Sequence, residues 1–363
     1  MTLTWRKVCG CIYPVTATIK SIARLAGVSA STVSLVLNGK DAGRVCARTR
    51  ARVLRMVARQ RYRRRNVARG LKLGKTFKVG LCFMGGLERN PIIGHYSSYE
   101  IVRFAACSLR EAGYGVDLLQ ADAALALPEI ARRLADEELD GLLLVNWVPA
   151  AQTRVLSTLG ELGMPAVSAS VIGPADESVC WAAIDNPASV RAALQHLLDT
   201  GARHVAMLEG DSALPLNAFK RSAFESFMRE HSLPARLLSI QPPLSCSTVG
   251  RAVRDMLLER PGLDAVLLTD NFLAPMAQRA LDGSPVRLMG FGDEGFSETL
   301  CHPPIPYMRM PVRALAESAV ELLLERMRDA RAPPRHRLLV CELTCADAAE
   351  VGTFRAKGAQ DAG

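Results

Sequence analysis

The residues best suited to chemistry in this sequence lie near the amino terminus, on a short helical pattern over residues 29 to 38. The stretch SASTVSLVLN places Ser31, Thr32 and Ser34 opposite an apolar face. Leu35 shares their outward side, where a leucine should meet water. Exposed hydroxyl groups can exchange hydrogen bonds with the edges of DNA bases, and methyl groups can contact thymine. The charge around this face indicates which partner it would meet.

The charge distribution supports the same chemistry. Residues 1 to 78 contain 19 Lys and Arg residues and one acidic residue, Asp41, which gives a net charge of +18; the remaining 26 basic and 35 acidic residues give −9. Such an asymmetry is typical of a polyanion-binding module attached to an acidic body. The cations do not follow an amphipathic helix with a large aromatic face, which favours nucleic acid over membrane lipid.

Three helical patterns must position this surface. Thr18 is placed to cap the first, which buries Ile19, Ile22, Ala23 and Ala26, and Gly27 ends it before the second begins after Ser29. The third, ARTRARVLRMVARQRY, is expected to bury Val53, Leu54, Val57 and Tyr62. Three short helices with a tight glycine turn predict an all-α helix-turn-helix DNA-binding domain. A protein-docking bundle is the alternative that the charge disfavours.

Beyond residue 77 the sequence alternates between strand and helix patterns. About nine such units run from KVGLCFM to VRLMGFG, for example DGLLLVNW followed by a helical stretch. Strands separated by single helices indicate parallel sheets covered on both faces. This number of units predicts an α/β core of two lobes, each a parallel doubly wound sheet, with ligands binding beyond the carboxyl ends of the strands.

Other classes of function lack support. The six histidines are dispersed, and we find no nucleophile motif, phosphate loop or Gly-x-Gly-x-x-Gly after a strand, so we expect neither an enzyme nor a cofactor. Cys9-x-Cys11 and Cys341-xxx-Cys345 are too sparse to favour zinc over ordinary thiols, so we expect no metal. A solute-binding protein would need an export signal and no basic head. The ten scattered cysteines and the lack of a long apolar run predict a cytoplasmic protein that does not bind a membrane.

The segments TIKSIARLAGVSASTVSLVLNG, TRARVLRMV, YRRRNVARGLKLGKT and VGL resemble the amino-terminal domain, hinge and first core strand of the lactose-repressor (LacI) family of bacterial transcription regulators. DGLLL, GARHVAMLEG and GFGDE resemble its core, so the resemblance covers roughly residues 17 to 345. It implies a repressor that binds a near-palindromic DNA operator as a homodimer or a tetramer. It also implies a periplasmic-binding-protein-like core in which a small metabolite between the lobes changes operator affinity. The alternative is a regulator of this family that has lost or changed its effector response.

The resemblance divides the chain into five parts. Residues 1–16 form a tail that we expect to be disordered, 17–62 the helix-turn-helix domain, 63–76 the hinge, 77–345 the effector-binding and dimerisation core, and 346–363 a second tail. Within the core, lobe 1 is expected over about 77–172 and 301–331, and lobe 2 over about 173–300 and 332–345.

Contacts with DNA are implied at the cap of the first helix, on the second helix and in the hinge, at Thr18, Ser29, Ala30, Ser31, Thr32, Ser34, Leu35, Asn38, Arg65, Asn66, Ala68 and Leu71. Leu71 falls on the hinge leucine that wedges into a base step and kinks the duplex. Leu35 stands where many members carry a guanine-reading arginine. Arg64-Arg65 replace the usual Pro-Asn, and Cys46 replaces the usual Ser or Thr cap of the third helix.

Effector contacts are implied at positions spread over the core: Asn90, His95, Tyr96, Ser170, Asp185, Lys220, Arg221, Asp270, Asn271 and Asp293. Lys220 occupies the position of the family's sugar- or carboxylate-binding arginine. Asp270-Asn271 reverses the family's Asn-Asp pair. Asp185 fits an acid that is more often structural than ligand-binding.

Overall fold

The computed structural model divides the chain into two compact units, Met1–Lys75 and Thr76–Gly363. It describes residues 5–8, 11–14, 18–37, 41–60, 74–84, 96–122, 125–174, 176–210, 215–240, 245–292 and 296–344. The first unit contains a helical domain and the second an α/β core, and the fold class inferred from sequence is confirmed.

The first unit is built on three helices, α1 (Ile19–Ala26), α2 (Ala30–Leu37) and α3 (Ala47–Arg59). Thr18 begins α1 through a capping box in which Ser21 N donates to Thr18 Oγ1 at 3.1 Å and Thr18 N donates to Ser21 Oγ at 2.8 Å. Gly27, with φ of 60°, ends α1 in a left-handed conformation that favours glycine. The chain then turns, so that α1 and α2 cross at 106°.

A small core holds these helices together, and it differs from the expected one at two leucines. It consists of Ile22, Ala23, Ala26, Val33, Val36 and Val53. Leu54 is 44% exposed, so its predicted burial is wrong: α3 turns a narrow stripe to α1 and α2, and the position after Val53 faces outward. Leu35 is half-buried rather than fully exposed to water. Tyr62 lies outside the described residues.

The expected disordered tail over residues 1–16 needs correction at its described residues. Strands β1 (Trp5–Val8) and β2 (Cys11–Pro14) pair antiparallel, with Val8 opposite Cys11. Both strands are rich in aromatic and β-branched residues, which favour extended backbone, and two residues separate them, the spacing of a tight hairpin.

The core contains two six-stranded sheets. The first comprises β3 (Lys78–Met84), β4 (Gly115–Ala121), β5 (Gly141–Val145), β6 (Ala166–Ser170), β7 (Trp181–Ile184) and β13 (His336–Leu339). Its order is β13-β7-β6-β5-β3-β4, and every pair is parallel. Its helices are α4 (Tyr96–Glu111), α5 (Leu127–Ala135), α6 (Pro149–Glu161) and α12 (Val312–Arg328).

The second sheet comprises β8 (Val205–Glu209), β9 (Leu237–Ser239), β10 (Ala265–Leu268), β11 (Arg287–Gly292), β12 (Tyr307–Arg309) and β14 (Glu342–Thr344). Its order is β14-β12-β11-β10-β8-β9, parallel except for β14 against β12. Its helices are α7 (Asn186–Asp199), α8 (Pro215–Glu230), α9 (Cys246–Glu259), a 3₁₀ turn (Asn271–Leu273), α10 (Ala274–Ala280) and α11 (Phe296–Leu300). β5, β8 and β10 are buried along their whole length, as central parallel strands should be.

The lobe boundaries expected from sequence are wrong at three places. β7 belongs to the first sheet although it follows residue 172, β12 belongs to the second, and β13 returns to the first. The described chain therefore crosses between lobes at residue 185, at 310–311 and at 340–341. Strands of three or four residues show no periodicity, so their partners are decided by pairing rather than by local pattern.

Among the described residues no single helix is long and apolar enough to cross a membrane; by length and composition only the bent pair α1 and α2 passes that test jointly. The same residues contain no group of three or more His, Cys, Asp or Glu side chains arranged to hold a metal ion.

Candidate functional site

The outward face of α2 is formed mainly by Ala30 and Ser31. Both are exposed to solvent. Ser29, predicted to contact DNA, uses its hydroxyl locally: Thr32 N donates to Ser29 Oγ at 3.0 Å, and the two hydroxyls lie 2.9 Å apart. Ser29 and Thr32 therefore fix the start of the helix, and the predicted base contacts of Ala30 and Ser31 stay predictions.

Several predicted DNA contacts stay predictions. Thr18 caps α1, Ser34 and Leu35 are half-buried on α2, and each retains some exposed surface. Residues that lie outside the described part of the chain are Asn38, Arg65, Asn66, Ala68 and Leu71.

The first unit contains far more basic than acidic residues. Asp41 is the single acidic residue among residues 1 to 78. Its side chain is buried, and its Oδ2 forms an ion pair with Arg50 Nε at 3.0 Å. On α3, Arg48, Arg52 and Arg55 are exposed to solvent. The helical domain therefore presents a strongly positive surface, the electrostatic requirement for binding phosphates.

Lys220 is the centre of a cluster in the second lobe. Its side chain is buried, 1% exposed, its Nζ donates to the backbone oxygen of Thr269 at 2.6 Å, and it lies 4.2 Å from the centre of the Phe291 ring. α8 carries the lysine over the carboxyl ends of β10 and β11, the edge where open α/β sheets bind ligands. The hydroxyl of Thr269 is buried and, within the described residues, has no hydrogen-bond partner.

Asp270 joins this cluster. Phe272 N donates to Asp270 Oδ1 at 2.8 Å. Burial raises the pKa of the Asp270 carboxyl, against the opposing effects of that hydrogen bond and of the Lys220 charge. The Asp270 carboxyl, the buried Lys220 ammonium and the Thr269 hydroxyl together form a polar patch that can hold a polar ligand.

Arg221 lies on a different side of α8. Its Nε and Nη2 donate to the two oxygens of Glu209 at 3.1 and 2.6 Å, and Ser239 Oγ also donates to Glu209. Glu209 is wholly buried at the end of β8, whereas the Arg221 side chain is 31% exposed. Adjacent residues on a helix point about 100° apart, so the two cations serve separate networks. The sequence analysis did not identify Glu209, whose only signal was a charged residue ending a buried strand.

The corresponding edge of the first lobe contains Asn146, which the sequence analysis missed. Its Nδ2 donates to Ser98 Oγ at 2.8 Å and to Ser97 Oγ at 3.1 Å, and its Oδ1 accepts from Val171 N at 2.8 Å. Asn146 has φ of 50°, a left-handed conformation that is uncommon without glycine and concentrates at functional sites. The sequence signal was the asparagine that ends GLLLVN.

Two predicted effector residues make internal contacts. Ser170 is buried, and its Oγ lies 3.2 Å from Ser168 Oγ, which donates to Gln152 Oε1 at 2.9 Å. Asp185 caps α7 by accepting from Ala188 N at 2.9 Å, which agrees with a structural role. Asn90, His95 and Asp293 lie outside the described residues, and only the backbone of Tyr96 and Asn271 is described. Among the predicted residues whose side chains are described, the structure brings Lys220 and Asp270 together, whereas Arg221, Ser170 and Asp185 bind other partners.

Comparison with known proteins assigns both units. Residues 18–65 match the profile described as bacterial regulatory proteins, lacI family, and residues 194–345 match the periplasmic binding protein-like domain.

Two relatives are the regulator CelR of Thermobifida fusca and the regulator RafR of Escherichia coli. CelR is 26% identical over 85% of this chain and 92% of its own; RafR is 27% identical over 70% and 73%. Among solved structures, a lac repressor dimer bound to operator and the anti-inducer ONPF has a TM-score of 0.69 at 19% identity, covering 90% of this chain and 97% of the other. A CelR–cellobiose complex has a TM-score of 0.59 at 23% identity, covering 90% and 98%.

Proposed function

We propose that the chain is a repressor of the LacI family of bacterial regulatory proteins, and that its operator affinity is changed by a small metabolite bound between the core lobes. The DNA-binding part of this proposal rests on the outward face of α2. Ala30 and Ser31 are exposed there, within a segment of net charge +18. No other side chains of α2 are as open to a base edge.

The partners follow from the same premise. We propose that the protein binds a near-palindromic operator as a homodimer, because a two-fold protein matches a two-fold site. It acts in the cytoplasm and carries out no catalysis of its own; its work is binding, and its response is a shift between two core states.

The effector half is supported by the cluster around Lys220. A buried cation, the Asp270 carboxyl and the unmet Thr269 hydroxyl converge at the carboxyl edge of the second sheet. The structures of relatives hold cellobiose and ONPF. For this chain we propose a polar small metabolite such as a sugar or sugar acid.

A second candidate is a regulator that has lost or changed its effector response. It is favoured by the internal use of the candidate ligands: Lys220 binds a backbone oxygen, and Arg221 is bound to a buried carboxylate. Both cations would have to exchange or share these partners to hold a ligand.

Selection of binding sites from random duplex DNA tests the proposed function. The full chain should enrich a near-palindromic sequence. Ser31→Asp, which puts a negative charge on the outward face of α2, should abolish enrichment, whereas Ser222→Asp on an exposed position of α8 should not. No enriched sequence from the wild-type chain would contradict the proposal.

Thermal unfolding with a panel of sugars, sugar acids and nucleobases separates the two candidates. An effector should raise the unfolding temperature of the core and release the selected DNA, and Lys220→Met should remove both effects. If no compound moves either quantity, the second candidate is the better description.

A further inference from the structure

The junction where the chain enters the core is held by an acidic clamp that no comparison assigns. Asp140 lies immediately before β5, and its carboxylate accepts three hydrogen bonds from the first two residues of the core unit. Thr76 N and Thr76 Oγ1 donate to Oδ1 at 2.7 and 2.9 Å, and Phe77 N donates to Oδ2 at 2.9 Å. Both carboxylate oxygens are therefore committed to a segment 63 or 64 residues away in sequence.

The clamped segment has an unusual backbone. Phe77 has φ of 57°, in the left-handed region that bulky side chains disfavour, and Gly74 three residues earlier has φ of 61°. The Phe77 ring is buried and lies 5.9 Å from the ring of Tyr114. A residue keeps such a conformation only where its surroundings over-determine it.

The neighbouring strands supply the rest of that constraint. Gly115 N donates to Phe77 O at 2.8 Å from the start of β4, and Asp140 N donates to Lys78 O at 2.9 Å from the approach to β5. Phe77 is thus fixed on its carbonyl side by the sheet and on its amide side by Asp140. The sheet bonds hold β3 itself, and the amides of Thr76 and Phe77 donate to Asp140.

Rotation at Phe77 redirects everything that precedes it. A change from φ of +57° to an ordinary value near about −60° would turn the preceding chain through roughly 120°. The residues that precede it in sequence include 63–73, the hinge that the proposed function places on DNA. We propose that Asp140 is a positioning residue for operator binding: its carboxylate fixes the direction in which the chain leaves the core towards the hinge.

The consequence for binding is entropic, and it rests on the proposed function. A specific complex must place both hinge segments of a dimer at one spacing on the operator. A segment released from the clamp samples more directions, and that freedom is lost again on binding. Non-specific binding through phosphates does not need that spacing, so it should be insensitive to the clamp.

The test compares affinities of the full chain for its selected operator and for a random-sequence duplex at the same salt concentration. Asp140→Asn keeps the size of the side chain but replaces one accepting oxygen by an NH₂ group, which cannot accept from Thr76 or Phe77. It should weaken operator binding about ten-fold, or about 1.4 kcal/mol. Random-sequence affinity should stay within about two-fold. Thr76→Val, which removes one of the three bonds without altering Asp140, should weaken operator binding by a smaller factor.

Asp117→Asn is the matched control. Asp117 pairs with Lys78 at 2.7 Å near the same end of β3, so its carboxylate is committed to a different partner from that of Asp140. The control removes the same charge and should leave both affinities within about two-fold of the wild type. Thermal unfolding of the core checks that each variant folds, and Thr76→Val decides the question if Asp140→Asn does not.

Two outcomes would overturn the proposal. One is a ratio of operator to random-sequence affinity that is unchanged in both variants; the other is an equal loss for both duplexes, which indicates a general structural defect. If the wild-type chain selects no operator at all, the proposed function itself is wrong and this role of Asp140 falls with it.

Discussion

Leu35 illustrates what a single residue can and cannot contribute to DNA recognition. The resemblance to the LacI family implies that it stands where many members read guanine with arginine; in the structure it is half-buried, whereas Ala30 and Ser31 are exposed. A leucine offers no hydrogen bond to a base edge, but its methyl groups can contact thymine. Specificity of this face should therefore depend on thymine methyls and on the ease of bending the central step.

Replacement of Leu35 by arginine should change base preference rather than remove binding. The new guanidinium can reach guanine O6 and N7, which is worth about 1–3 kcal/mol of discrimination at one position. Selection from random DNA with the Leu35→Arg variant should recover a site that differs from the wild-type site at one step in each half. Loss of all DNA binding by a folded variant would show that Leu35 serves the core of the domain.

Arg221 and Glu209 provide a second residue-level prediction, on stability. Glu209 is wholly buried, and Arg221 neutralises it through two hydrogen bonds. Arg221→Met should leave an uncompensated buried carboxylate and lower the free energy of unfolding of the core by about 2–3 kcal/mol. Urea denaturation of the wild type and of Arg221→Met measures this difference in the free energy of unfolding.

The control for that prediction is Arg191→Met. Arg191 also binds a carboxylate, that of Glu230, through two of its nitrogens. Both side chains of this pair are nearly half exposed. The pairing lowers the pKa of Glu230 to about 2, yet solvent screens the pair, so the urea midpoint should not move measurably. Equal losses for the two variants would mean that Glu209 is better solvated than its burial indicates.

At the scale of elements, the amino termini of the three helices in the first unit are not equally well capped. Thr18 and Ser29 cap α1 and α2 through their hydroxyls. Cys46 stands at the start of α3, where its side chain makes no capping bond to the backbone and instead places Sγ 3.2 Å from Thr49 Oγ1. The sequence predicted this weak cap, because a thiol is a poor acceptor for a backbone amide.

Cys46→Ser should therefore stabilise the helical domain. A serine hydroxyl can accept from Thr49 N, and we expect the unfolding temperature of this domain to rise by about 3–5 °C. Calorimetry of the full chain measures it. An unchanged or lower temperature would show that the thiol contact to Thr49 already performs the capping role.

The same substitution tests a pH dependence. The side-chain hydrogen bond with Thr49 lowers the pKa of the Cys46 thiol, so folding favours the thiolate. A lowered pKa adds stability that is fully present above the ordinary thiol pKa and is lost as the pH falls through the lowered value. The wild-type domain should gain stability as the pH rises into this range, and Cys46→Ser should not.

For the whole molecule, the separation of charge is the dominant feature. A net charge of +18 lies in residues 1 to 78 and −9 in the remainder, so we expect phosphate contacts at one end of the chain. Each phosphate contact steepens the dependence of DNA affinity on salt by a slope of about 0.9.

Removal of the three consecutive hinge arginines should flatten that dependence. Replacing Arg63, Arg64 and Arg65 together with glutamine should reduce the slope by about 2–3 if all three meet phosphates. Affinity for a random-sequence duplex over a range of salt measures the slope. Glutamine at three exposed arginines of the core, Arg154, Arg229 and Arg251, is the matched control and should leave it unchanged. Equal effects would show that net charge, and not the hinge, governs binding.

Local physics determined much of this molecule from the sequence. Charge is a property of composition, capping depends on residues three positions apart, and helical or strand periodicity is read within a dozen residues. For these reasons Thr18, Gly27, the helix-turn-helix and the alternating α/β core were predictable. The resemblance to the family also singled out Lys220 as a candidate effector contact, which stays a prediction.

Only the tertiary structure decided what depends on distant partners. Short strands such as β7 and β13 were assigned to a lobe by pairing alone. Lys220 turned to Thr269, and Arg221 to Glu209, because packing against separate strand ends selected their partners. The Asp140 clamp joins residues more than 60 positions apart, and no local pattern encodes such a contact. Sequence spacing fixes neighbours along an element, whereas the choice among distant partners is made when the elements pack.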